Sequence, residues 1–124
     1  MPSFSERRQT VRIATNGNMT VECLSPGPSL WLVDVGMGGF CARTAAPIPV
    51  DTIASYRFAT ADRKWTAIFR AKTVHCRPET RDGKPTNSCV GGFCFFNTES
   101  AAVQGQLFAL LDQAMNLVSF PDAL

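Results

Sequence analysis

A chain of 124 residues with 45% apolar side chains is most economically one domain, 1–124, able to close a modest core without disulfides or a structural metal. Its net charge of +2 excludes a general nucleic-acid surface, because nonspecific binding needs a basic stripe making several phosphate contacts, so any anion site is local. No stretch approaches the roughly 18 consecutive apolar residues that a membrane-spanning helix requires, which argues against membrane insertion.

The chain begins with a charged segment, Ser5-Glu6-Arg7-Arg8-Gln9-Thr10-Val11-Arg12, with no apolar leader behind it, and a cytoplasmic location is expected. From Met19 to Asn97 the pattern is that of strands broken by turn residues. The predicted strands are Met19 to Leu24, Leu30 to Val35, Gly39 to Thr44, Ile53 to Thr60, Trp65 to Arg77 and Cys89 to Asn97. Between them lie Ser25 to Ser29, the glycine turn Gly36 to Gly39, Pro47-Ile48-Pro49 and Ala61 to Lys64. The polar run Pro78 to Ser88 reads as a long solvated hairpin loop. Alternation is best in the fifth segment, where Trp65, Ala67, Phe69 and Ala71 share one face and Thr66, Arg70 and Lys72 the other. After Glu99 the period changes: Val103, Leu107, Leu110, Leu111, Ala114, Met115 and Val118 recur at three and four, predicting an amphipathic helix over about 99–118. Thr98 or Ser100 can cap its start, and Pro121 cannot continue it. The whole is a mainly all-β fold: a six-stranded antiparallel sheet that closes or nearly closes into a barrel over about 7–97, with a C-terminal α-helix.

Most enzyme chemistries find no footing. Five cysteines, Cys23, Cys41, Cys76, Cys89 and Cys94, are odd in number and lack a CxxC pair, a pattern of reduced, mostly buried thiols with no metal site. His75 is the only histidine and stands in a strand without a nucleophile motif, so a structural role is expected and no catalytic residue is assigned. Gly36-Met37-Gly38-Gly39 lacks the lysine and following helix of a phosphate-binding loop. Phe40, Phe93, Phe95 and Phe96 alternate as core aromatics do, with no basic groove beside them for single-stranded nucleic acid.

What remains is a local constellation. Arginine offers a planar, permanently charged fork for phosphate or for the O6/N7 edge of guanine, and aspartate can accept from guanine's opposite edge. Taken alone, Arg7, Arg8 and Arg12 also fit a solvated basic segment, and Asp34 fits a turn residue bonding its own backbone. Jointly they form a pattern: Arg8 and Arg12 have RxxxR spacing, and Asp34 to Gly39 has the spacing of a [D/N]xSxxG motif at a strand-to-strand turn. In a small β-rich chain with a terminal helix, this resembles the PilZ domain family, bacterial receptors for cyclic di-GMP. Ala71-Lys72-Thr73-Val74 and Gly91-Gly92-Phe93-Cys94-Phe95 are similar to that family's later strands, so the resemblance covers roughly Arg7 to Phe96.

The resemblance implies a noncatalytic cyclic di-GMP receptor, without a cofactor, that changes its surface on binding to regulate a protein partner. Arg8 and Arg12 would contact phosphates and guanine, with Arg7, one residue out of register, as helper. Asp34 would read a guanine edge, and Gly39 would supply the turn that brings backbone amides near the ligand. The chain departs from the motif at Gly36, where the family has serine. A hydroxyl contact to a charged ligand is worth about 1.5–3 kcal/mol, so its absence weakens binding roughly ten- to a hundredfold unless a turn amide or Arg7 replaces it. The alternative is a degenerate PilZ-like interaction module that does not bind cyclic di-GMP.

Overall fold

Seven strands and one helix follow from these patterns: β1 (Ile13–Ala14), β2 (Met19–Cys23), β3 (Leu30–Val35), β4 (Gly39–Thr44), β5 (Ile53–Thr60), β6 (Thr66–Arg81), β7 (Lys84–Phe95) and α1 (Ala101–Val118). They are seen in a computed structural model that describes residues 12–15 and 17–118. The six anticipated strands are all present, preceded by the two-residue β1.

All neighbours in the sheet are antiparallel, in the order β1-β3-β4-β7-β6-β5-β2. The two edge strands, β1 and β2, are consecutive in the chain, so the sheet curls until its edges meet. No ladder joins β2 to β3 among the described residues, although the two strands lie against each other. Thr15, just after β1, extends the β1–β3 pairing along β3. Its amide donates to the Val33 carbonyl at 3.1 Å, and its buried hydroxyl donates to the Leu32 carbonyl at 3.1 Å. The architecture is therefore barrel-like, with a seam rather than a seventh ladder.

Inward-facing residues of successive strands meet around Phe40. Its ring stacks on Phe93 at 4.5 Å and meets Tyr56 and Phe58 edge-on at 5.3 and 5.0 Å. Leu107, Leu110 and Ala114 of α1 join this core, as the three-and-four spacing predicts. Ser100 caps the helix, its hydroxyl accepting from the Val103 amide at 3.5 Å. Pro121 lies outside the described residues.

Two expectations need correction. Pro78 to Ser88 is not a loop: β6 runs on to Arg81 and β7 starts at Lys84, joined by Asp82 and Gly83 alone. Both turn residues have positive φ, 55° and 76°, as a type I′ hairpin turn requires. The segment is polar because this end of the ribbon has little core to cover, not because it lacks pairing. The cysteines are free, as expected, but Cys89 alone is buried, Cys23, Cys41 and Cys76 are half-buried, and Cys94 is exposed.

Burial pushes the Tyr56 phenol from an ordinary 10 up to about 12. The folded state then holds a proton that the unfolded chain releases, so the stabilisation is complete below pH 10 and is lost as pH rises toward 12. Urea midpoints measured across that window are expected to fall, by an amount on the order of 2 kcal/mol in stability. A flat profile would mean that the hydroxyl is solvated.

Candidate functional site

Asp34 owes its direction to a defect in β3. Leu32 pairs with Ala42, Asp34 with Cys41 and Val35 with Phe40, leaving Val33 as an extra residue. Leu32, Ala42, Val35 and Phe40 are all buried inward. Strict alternation would send Asp34 inward with Leu32; the bulge at Val33 turns it to the outer face, beside Cys41. On its other side Asp34 pairs with Ala14 of β1, which brings the neighbouring Arg12 to the same place.

Arg12 joins the two ends of the β3–β4 turn there. Arg12 Nη1 donates to the Gly39 carbonyl at 2.9 Å, across 27 positions of chain, and Arg12 Nε lies 3.3 Å from Asp34 Oδ1. The ion pair is close but not aimed: Oδ1 is buried and accepts no hydrogen bond among the described residues. With side chains 40% and 28% exposed, such a pair is worth at most about 1 kcal/mol. Both partners remain cheap to recruit.

The turn between β3 and β4 is tightly organised. The Gly36 amide donates to the Gly39 carbonyl at 2.8 Å, and the Phe95 amide donates to the Gly38 carbonyl at 2.9 Å. Gly36 does not have positive φ, so a serine fits its backbone without strain. Gly39 begins β4 rather than forming the turn's tip, and its lack of a side chain has a local cause: a Cβ there would collide with the carbonyl oxygen of Phe93 on β7.

The outer face extends from this point across the sheet. Gly39 pairs with Cys94, and Cys41 with Gly92, so four small residues form a low floor on β4 and β7, alternating with the inward Phe40 and Phe93. Beyond Gly92 comes His75, its pairing partner on β6. A Cβ on Gly92 would sit 2.8 Å from His75 Cε1 and 2.9 Å from Cδ2, with Nε2 nearer still, so the imidazole lies across the glycine. Burial pushes the Cys41 thiol above its ordinary range and Asp34 adds to this, while Arg12 and Arg43 pull it back. Trp31 and Arg43 pair along the next row of the face. Arg43 is already held by Glu79 at 3.1 Å, and Glu79 also accepts from the Ser88 hydroxyl at 2.8 Å.

A cavity of about 540 Å³ at the seam is lined by Ala14, Met19, Trp31, Leu32, Val33 and Arg43 among others, and by none of Arg12, Asp34, Gly36 and Gly39. Its one charged side chain among the described residues is the guanidinium already paired with Glu79. Among the described residues no group of three or more His, Cys, Asp and Glu side chains is placed to hold a metal, and no helix is long and apolar enough to cross a membrane.

Of the residues singled out from the sequence, Arg12, Asp34, Gly36 and Gly39 come together; Arg7 and Arg8 lie outside the described residues. Sequence reasoning missed the floor and its far side at His75, because both depend on the pairing of β4 with β7 and of β7 with β6. The available signal was the Gly91-Gly92 pair inside a strand, which marks a close approach.

No protein-family model matches the chain, and no curated protein is detectably similar to it. Solved structures do match. The PilZ domain with cyclic di-GMP of YcgR from Escherichia coli is similar with a TM-score of 0.61 and 19% identity, covering 89% of this chain and 95% of that one. The PlzA protein of Borreliella burgdorferi in complex with cyclic di-GMP is similar with a TM-score of 0.51 and 10% identity, covering 94% of this chain and 56% of that one. At such identities the likeness is one of fold: the curled antiparallel sheet with its C-terminal helix has a PilZ-like fold.

Proposed function

We propose that this domain is a noncatalytic receptor for cyclic di-GMP that regulates a protein partner through a ligand-induced change of surface. One observation carries the reading: Arg12, far off in sequence, meets Asp34 and the Gly39 carbonyl, which flank a single turn, with a weak ion pair between the two charges. In the free protein each charge partly neutralises the other. An incoming phosphate offers the guanidinium a two-pronged, charge-assisted contact stronger than its present one, and the freed carboxylate then accepts from a guanine edge. Arg8 and Arg7 complete the clamp on the ligand, and the ligand-bound face presents the new surface. The structural neighbours YcgR and PlzA were both solved with cyclic di-GMP, in keeping with this ligand.

Calorimetric titration of cyclic di-GMP into the domain tests the proposal. Saturable heat at micromolar ligand is expected; none at high micromolar ligand would sink it. The Gly36→Ser variant is expected to bind roughly ten- to a hundredfold more tightly, since the hydroxyl restores a contact of about 1.5–3 kcal/mol. Unchanged affinity would show that the missing hydroxyl does not limit binding.

One observation favours a second reading, an interaction module that ignores cyclic di-GMP. Gly36 has no hydroxyl, and its amide is already engaged by Gly39, so it cannot replace the lost contact without breaking the turn. A protein partner captured equally by the wild type and Arg8→Ala, with or without cyclic di-GMP, would establish that reading.

A further inference from the structure

The row from Asp34 through Cys41 and Gly92 ends at His75, and nothing in the site described so far uses that end. Central strand positions ordinarily carry β-branched or aromatic side chains, whereas here the outer face of β4 and β7 is cut down to Gly39, Cys41, Gly92 and Cys94. Gly39 is explained by the approach of the β7 backbone. Gly92 is explained only by the imidazole lying on it: Cε1 and Cδ2 stand at nearly equal distances, 2.8 and 2.9 Å, from where a Cβ would be. That approach meets the ring's face rather than its edge. His75 is exposed, so the ring meets solvent on the side away from Gly92. The result is a flat aromatic platform at one side of a low floor of small residues, with Arg12 and Asp34 at the other side.

We propose that the open face of His75 is a second purine subsite, stacking the base of a bound cyclic dinucleotide that Asp34 does not hold. This rests on the cyclic di-GMP reading and deepens it. Three strand spacings separate Asp34 from His75, about 14 Å between their backbones, so one guanine cannot serve both. A cyclic dinucleotide has two purines on one phosphate ring. With the first read by Asp34 and the ring lying over Gly39, Cys41 and Cys94, the second reaches β6. Small floor residues leave the ring room to lie flat, and an imidazole supplies a stacking surface that tolerates either purine.

The test compares cyclic di-GMP binding by the wild type, Arg12→Ala, His75→Ala and His75→Phe, each first checked by thermal melting. His75→Ala is expected to lose about tenfold in affinity, and His75→Phe, which keeps an aromatic face, to stay within about threefold of the wild type. Bound ligand should also slow alkylation of the exposed Cys94 by iodoacetamide. If Arg12→Ala abolishes binding while His75→Ala matches the wild type, the second subsite is overturned and the receptor reading stands. Equal weakening in His75→Ala and His75→Phe overturns the stacking role. No binding by the wild type overturns both.

Discussion

Gly39→Ala is expected to destabilise the domain by about 3 kcal/mol or more, lowering its melting temperature by on the order of 10 °C. The added carbon would overlap the Phe93 carbonyl oxygen and lie 2.9 Å from the Phe93 carbonyl carbon and 3.1 Å from Cys94 Cα. All three are backbone atoms, so no side chain can swing aside. Relief requires β4 to move away from β7 at the pair Gly39↔Cys94, next to the Phe40 and Phe93 rings stacked at 4.5 Å. Gly38→Ala is the matched control. One residue earlier, its added carbon meets nothing within 4 Å and its φ is not positive, so its cost stays near 0.5 kcal/mol. Urea unfolding of the two variants side by side decides the matter; equal midpoints would mean that the strands do not approach as closely as described.

Arg12→Ala is expected to lose about a hundredfold or more in affinity for cyclic di-GMP while leaving the fold intact. Two charge-assisted contacts to phosphate or guanine, each worth about 1.5–3 kcal/mol, disappear with the guanidinium. Stability changes little, because the ion pair with Asp34 is half-exposed and the Gly39 carbonyl still accepts from the Gly36 amide at 2.8 Å. Arg12→Lys separates charge from shape. It retains the positive charge without the planar fork, and recovery of no more than about tenfold is expected. Full recovery would show that Arg12 acts only as a point charge.

The sequence made much of this legible. The alternation of Trp65, Ala67, Phe69 and Ala71, and the helical recurrence of Leu107, Leu110 and Ala114, report burial directly, so strands and helix appear where their patterns predict. The Asp34 turn and Arg12 were visible as spacing. Other features leave no trace in a local window. The Val33 bulge shows only against the partner strand, yet it decides whether Asp34 faces core or solvent. The floor needs β4 to pair with a strand about fifty positions later, and long-range register is set by the whole core rather than by any neighbouring residue. The polar end of the β6–β7 ribbon looked like a loop because exposed pairing leaves no apolar face to read, although Asp82-Gly83 carries the chemistry of a two-residue turn.

The role of Gly39 changes accordingly. It is the position where two strands touch, and its carbonyl anchors Arg12. The site and the core therefore share a residue, so variants at Gly39 report on folding and variants at Arg12 report on binding.

Backbone amide chemical shifts recorded while cyclic di-GMP is titrated into the wild-type domain test the site most directly. The largest changes are expected on Arg12, Asp34 and the Gly36 to Cys41 segment, and Arg12→Ala is expected to remove them at the same ligand concentration. Shifts confined to another part of the surface, or none at high micromolar ligand, would contradict that expectation.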